Sequence, residues 1–280
     1  PPMGQHPPSV HKYQPGDVLL ERYQLERQLA VGGMGELWRA VNLALEQPVA
    51  VKLLRSAARN ASGAARLLRE ARVAARLQHR AIIRVFDAGT TATNDPFLVM
   101  ELLEGEDAGT LLDEGGPLEA VRAVQLMIPV LSGLAVAHAQ GVVHRDLKPD
   151  NIFLQALEGG GVQVKLLDFG ISKHVGHERL TRTGQVLGTP RYMAPEQLAA
   201  DKNLDSRVDT YALGVILYEA LSGNPPFLGA SPSELVQAIL HGRVTPIRHY
   251  VPDLAPGLEV VVHRAMARAR DARYESARAL

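Results

Sequence analysis

The 280-residue chain is 46% apolar and carries 30 Lys+Arg against 30 Asp+Glu, enough hydrophobic material for a sizeable core and no formal net charge. Neutrality removes an overall basic field for attracting nucleic acid or an anionic membrane, so neither is expected as a partner of this segment. The absence of cysteine excludes disulfides, thiolate metal sites and cysteine nucleophiles, and it agrees with a reducing compartment.

Residues 1–20 are proline-rich with little apolar content and read as a disordered lead-in. They carry neither the basic stretch nor the apolar run of a secretory signal. The longest apolar run, around Tyr211–Tyr218, is far short of the ~20 residues that span a bilayer, so the chain is expected to be soluble. From Arg22 to Met100, short runs such as ELWRAVNL, QPVAVKLL and PFLVMEL read as strands. One helical segment interrupts them at Ser62–Leu77, where Leu67, Ala71, Ala74 and Leu77 form a stripe.

Beyond Glu101 the pattern turns mostly helical. Glu119–Ala139 repeats apolar residues at helical spacing, and Pro129 inside it is expected to kink the helix or move its boundary. Strand signals follow at Ile152–Leu154 and Val162–Leu167, then a long irregular stretch, Asp168–Glu196. Irregular stretches of that length inside a compact domain are usually functional. Arg207–Ser222 reads as a core helix. The chain lacks an initial Met and stops within a helical-looking stretch, Tyr274–Leu280, so it reads as a piece of something longer. The expected architecture is α+β and bilobal. Residues 21–102 form a small antiparallel-sheet lobe with one main helix, residues 103–280 form a larger helical lobe, and the boundary falls near Leu102–Gly105.

Three constellations carry chemistry. L-A-V-G-G-M-G-E-L, residues 29–37, places Gly32, Gly33 and Gly35 between two strands, where backbone amides can approach a polyphosphate without Cβ interference. By itself this is equally a glycine-rich hairpin without a ligand. V-A-V-K ends in Lys52, which a phosphate-binding reading pairs with Glu70; alone, such a lysine is more often a snorkelling edge residue. The third is the pair V-H-R-D-L-K-P-D-N (143–151) and K-L-L-D-F-G (165–170). Phosphoryl transfer rests on positioning and charge stabilisation. Asp146 suits the carboxylate that orients an attacking hydroxyl and accepts its proton. Lys148 suits the cation beside the transferring group, and Asn151 and Asp168 are hard oxygen ligands for Mg²⁺. The ten histidines show no metal-ligand spacing.

With these elements in order, followed by G-T-P-R-Y-M-A-P-E and R-V-D-T-Y-A-L-G, the chain resembles the eukaryotic-like serine/threonine protein kinases of bacteria from about Pro15 to Leu280. The resemblance implies a bilobal kinase that binds ATP and Mg²⁺ between its lobes and phosphorylates Ser/Thr hydroxyls of protein substrates. Lys52 would contact the α- and β-phosphates and pair with Glu70. Met100 would be the gatekeeper and Glu101–Leu103 the adenine-contacting hinge. Leu29, Leu37, Ala50 and Phe153 would sandwich the adenine. Glu196 would pair with Arg273, and Asp209 would brace the catalytic loop. K-P-D after Asp146, and Thr189 in G-T-P, match the branch that acts on Ser and Thr.

Arg145 beside the base invites a phosphorylated threonine through charge-assisted hydrogen bonds. Thr181 and Thr183 match the T-x-T sites of the bacterial family, with Lys173 as a second cationic partner. Autophosphorylation there, between two kinase copies, is expected. A cytoplasmic location is implied, either free or as part of a longer membrane-anchored protein. Ala30 in place of the first loop glycine, Leu37 and Phe153 suggest a tighter adenine slot. His79–Ile83 lacks the family's Pro-Asn, which puts the local turn in doubt. Two other classes remain for comparison. A pseudokinase scaffold is disfavoured because Lys52, Asp146, Asn151 and Asp168 are all present. A small-molecule phosphotransferase is disfavoured by Gly188–Glu196, which matches a protein-substrate platform.

Overall fold

The computed structural model describes residues 12–32, 35–54, 73–169 and 190–280. The chain divides into two compact units, one of Pro1–Leu68 with Val85–Leu102 and one of Arg69–Arg84 with Leu103–Leu280.

The first unit is built on a six-stranded antiparallel sheet in the order β1-β2-β3-β4-β6-β5. Its strands are β1 (Val18–Leu19), β2 (Tyr23–Gly32), β3 (Gly35–Asn42), β4 (Gln47–Leu54), β5 (Val85–Thr90) and β6 (Pro96–Glu101). Side chains alternate across a strand, so the register sorts them into faces. Trp38 opposes Val51, Ala40 opposes Val49, and Val51 and Leu53 oppose Val99 and Phe97. These residues, with Leu19, Tyr23 and Leu25, form one buried cluster. Residues 12–20 are not a free lead-in. Leu19 and Val18 pair with Tyr23 and Gln24, and the Tyr13 hydroxyl lies 3.0 Å from Thr91 Oγ1 and donates to Asp95 at 2.5 Å. Lys12 adds an ion pair to Asp95, so Lys12 and Tyr13 are pinned to the β5–β6 hairpin by polar groups that the Pro-rich composition conceals.

The second unit carries the helices α1 (Ala108–Gly115), α2 (Ala120–Ala139), α3 (Pro195–Leu198), α4 (Arg207–Ser222), α5 (Pro232–His241) and α6 (Pro256–Ala265). Its sheet has the order β7-β8-β9, from Gly105–Asp107, Ile152–Ala156 and Val162–Leu166. Asp107 caps α1 by accepting from the Thr110 amide at 3.0 Å, which satisfies one of the orphan donors of the first turn. Helix α4 is the spine of the unit, with Val208 through Tyr218 buried. It packs against α2 and α6. Gly214 permits the close approach to α6, since a Cβ there would lie 2.8 Å from that of Ala265.

Other expectations meet the structure as follows. Helix α2, expected over Glu119–Ala139, runs through Pro129 for 20 residues. That helix has the length and mean hydropathy, 1.7, of a membrane span, although no continuous apolar run flagged it. Its Met127, Val130 and Leu134 are buried, and the helix packs against α4 and β9. Tyr274–Leu280 is bends and turns rather than helix. Arg69–Arg84 joins the second unit, because Ala81 and Ile83 exchange backbone hydrogen bonds with Leu166. The turn at His79 forms without Pro-Asn, the Ala81 amide donating to His79 Nδ1 at 3.2 Å. Most of the expected Ser62–Leu77 helix lies outside the described residues.

Candidate active site

In the first unit, the β2–β3 hairpin closes with Gly32 opposite Gly35. Gly35 has φ +150, and a Cβ on it would lie 1.9 Å from the Leu53 carbonyl oxygen. Only glycine fits there. Gly32 is exposed, with nothing within 4 Å of a built Cβ, and Gly33 lies outside the described residues. Register brings the other candidates together: Leu37 opposes Lys52, Lys52 opposes Leu98, and Ala50 opposes Met100. Leu37, Ala50, Lys52 and Met100 therefore share the face opposite the Trp38–Val51–Val99 core. Leu29 sits at the irregularity between Gln28 and Ala30, and Glu101 closes β6.

In the second unit the V-H-R-D-L-K-P-D-N segment is irregular until a 3-10 turn at Pro149–Asn151. Its shape is dictated by polar side chains. Asp209, 1% exposed at the start of α4, accepts from the amides of His144 and Arg145 at 2.8 Å each and from His138 Nε2 at 2.8 Å. A buried carboxylate satisfied by these donors holds the loop backbone to the core helix. This is the bracing expected of Asp209. His138, on α2, is the partner that sequence reasoning missed.

His144 is itself buried and works in two directions. Its Nδ1 accepts from the Asp146 amide at 3.3 Å, so its Nε2 is the protonated nitrogen and donates to the Leu167 carbonyl at 2.8 Å. The loop bearing Asp146 is thereby tied to the residue before Asp168. The ring of Phe169 packs on the His144 ring with centroids 4.8 Å apart. Asn151 closes the network: its Nδ2 donates to the Asp146 carbonyl at 2.7 Å, and the Leu167 amide donates to the Asn151 carbonyl at 2.9 Å. That orientation leaves the Asn151 side-chain oxygen as an acceptor.

Two residues of these motifs, Arg145 (φ 63) and Asp168 (φ 53), hold the left-handed conformation without being glycine. Such conformations cost roughly 1–3 kcal/mol each and persist where surrounding bonds over-determine them. The Asp209, Gln197 and His144 hydrogen bonds do so here, Gln197 Nε2 donating to the Arg145 carbonyl at 2.9 Å.

Phe153 lies half-buried on β8, paired with Asp107 and Lys165. Lys148 is half-buried, 3.5 Å from Asp150. Glu196 and Arg273 form the expected pair, a bidentate contact at 2.6 and 2.8 Å. Arg273 is 3% exposed, donates also to the Ala267, Arg207 and Arg268 carbonyls, and stacks over Tyr211. Among the described residues, no cluster of three or more His, Cys, Asp or Glu could cage a metal. Mg²⁺ held chiefly by phosphates needs only one or two protein oxygens, and the Asn151 oxygen and the Asp168 carboxylate are a donor set of that kind. Glu70, Lys173, Thr181, Thr183 and Thr189 lie outside the described residues.

Comparison with known proteins agrees with this geometry. The family described as "Protein kinase domain" matches residues 23–268. The chain is 38% identical over 266 residues to the serine/threonine-protein kinase PknB of Mycolicibacterium smegmatis, covering 92% of this chain and 42% of that protein. It is 39% identical over 264 residues to the serine/threonine-protein kinase PknL of Mycobacterium tuberculosis, covering 94% of this chain and 65% of that one. It thus spans less than two thirds of the length of these relatives. The crystal structure of the M. tuberculosis PknI kinase domain superposes with a TM-score of 0.74 at 27% identity, covering 96% of each chain. Rad53 residues 1–466, solved in complex with AMP-PNP, shares the fold with a TM-score of 0.75 at 23% identity, over 92% of this chain and 63% of that one. On the match over residues 23–268 and on these relatives, the chain belongs to the protein kinase family.

Proposed function

We propose that this chain is the catalytic domain of a serine/threonine protein kinase that transfers the γ-phosphoryl group of ATP to protein hydroxyls. The observation that carries the reading is the hydrogen-bonded network that His144 and Asn151 build between Asp146 and Leu167, the residue before Asp168.

In this reading Asp146 orients the acceptor hydroxyl and takes its proton, and Lys148 offsets charge on the transferring group. Asn151 and Asp168 hold Mg²⁺, which when bound neutralises phosphate charge. Lys52, with Glu70 as its carboxylate partner, holds the α- and β-phosphates. Gly32, Gly33 and Gly35 let the β2–β3 hairpin cover the phosphates. Leu29, Leu37, Ala50 and Phe153 contact the adenine ring, and Glu101 and Leu103 bond its edge. Thr181 and Thr183 are autophosphorylation sites, reached when two copies meet, and their phosphates answer Arg145. ATP as donor places the reaction in the cytoplasm.

The experiment is intact-mass measurement after incubation with Mg-ATP, for wild type and Asp146→Asn. Wild type should gain phosphate, and the variant should gain none while still binding nucleotide. Equal labelling of both proteins rejects Asp146 as the base. Phosphopeptide mapping of the labelled wild type should find Thr181 or Thr183. Finding neither rejects those sites.

A further inference from the structure

A groove of about 280 Å³ in the second unit is lined by Lys148, Asp113, Asp150, Arg191, Tyr192 and Glu219. If Asp146 and Lys148 are the transfer site, a polypeptide delivering its hydroxyl there can lay flanking residues along this groove, which Lys148 also lines. The inference rests on the kinase reading.

Three carboxylates and two cations line the groove, but they are not equally available. Asp150 is 3.5 Å from Lys148, and Asp113 is solvated. Glu219 is the most sheltered, its side chain 14% exposed. Both of its oxygens are engaged: Arg191 donates to Oε1 at 2.9 Å and the Tyr192 hydroxyl donates to Oε2 at 2.6 Å. Burial, then the bond to Glu219, pushes the Tyr192 phenol well above its ordinary range, so it remains a donor. Arg191 is the adjustable member. Its side chain is 37% exposed at the groove, while its Nε is buried without a hydrogen-bond partner among the described residues.

We propose that Arg191 is a specificity-determining residue: by occupying Glu219 it denies that carboxylate to the acceptor polypeptide, so that the groove makes no demand for a basic side chain there. The physical basis is an asymmetry. A sheltered carboxylate that loses one of its donors is costly to leave unsatisfied, and an arginine from the substrate would restore the missing bonds. Removing Arg191 therefore creates a demand for a basic acceptor rather than simply weakening the enzyme.

The test measures kcat/KM for a threonine peptide series in which each flanking position in turn carries Arg, Ala or Glu. The enzymes are wild type, Arg191→Ala, Arg191→Lys and the double variant Arg191→Ala/Glu219→Gln. Taking the ratio of Arg to Ala peptides cancels any loss of folded enzyme. Wild type should show a ratio near unity at the position that meets Glu219. Arg191→Ala should raise it roughly tenfold. Arg191→Lys should restore the wild-type ratio, and the double variant should lose the acquired preference. The proposal is overturned if Arg191→Ala leaves every ratio unchanged, if the double variant keeps the preference, or if wild type already demands arginine at that position. Failure of the kinase reading looks different: wild type then phosphorylates no peptide in the series and no generic Ser/Thr acceptor protein.

Discussion

In the sheet of the first unit, Leu37, Ala50, Lys52 and Met100 reach one face through strand register alone. In the loop of the second unit, Asp146 and Asn151 are placed by individual polar atoms, those of Asp209, His144 and the Asn151 amide. The first arrangement depends on the backbone: a side chain may change size, but a slipped register turns every residue over. The second depends on single hydrogen bonds, and one missing acceptor disorders a segment that no strand pairing supports. The two units should therefore fail under different substitutions.

The largest effect should follow from Asp209→Ala. It leaves the His144 and Arg145 amides and His138 Nε2 without their acceptor inside the core. Breaking a buried, fully bonded charged group of this kind costs about 3–5 kcal/mol. Chemical denaturation should register that loss, and phosphate transfer should fall further than the folded fraction does, because Arg145 loses its restraint. A loss under 1 kcal/mol, on the order of a surface substitution, would show that Asp209 does not brace the loop.

Gly35→Ala tests the backbone side of the contrast. The Cβ would meet the Leu53 carbonyl, so β3 must shift at the mouth of the hairpin, at a cost of about 1–3 kcal/mol. Gly32→Ala, with nothing within 4 Å, should change stability by a few tenths of a kcal/mol. Thermal melts of the two variants separate the cases. Equal shifts would mean that crowding at Leu53 does not matter.

The smallest effect concerns pH. Burial, then the hydrogen bond to Asp87, raises the Tyr23 phenol to about 12. The folded state binds this proton more tightly than the unfolded chain, whose phenol titrates near 10. Its contribution is therefore complete below pH ~10 and is lost as pH rises from ~10 towards 12. Tyr23→Phe should lower stability by about 1 kcal/mol near neutrality and flatten the alkaline limb of the stability profile. An unchanged limb would assign alkaline unfolding to other groups.

The proposed reacting groups are the easiest to read from the sequence, because phosphoryl chemistry demands particular side chains at short spacing: Asp146, Lys148 and Asn151 fall within six positions, and Asp168 lies two residues past β9. Their supports were harder to find. His138 stands 71 positions from Asp209, and nothing in α2's apolar stripe marks it as the carboxylate's partner. Strand β7, Gly-Glu-Asp, has no strand propensity of its own and exists because it pairs with β8. The ordering of residues 12–20 was hidden for a similar reason, since their anchors, Thr91 and Asp95, lie some 80 positions away. Local composition reports what a segment prefers alone; these segments are shaped by distant partners.

Asp209 belongs to the most deeply buried helix of the second unit, and the amides it grips are those of the two residues before Asp146. The loop that carries Asp146 thus takes its coordinates from the interior of the second unit. Heating should accordingly show no gradual softening of catalysis ahead of melting: turnover should persist until α4 itself gives way, and then vanish within the same narrow interval.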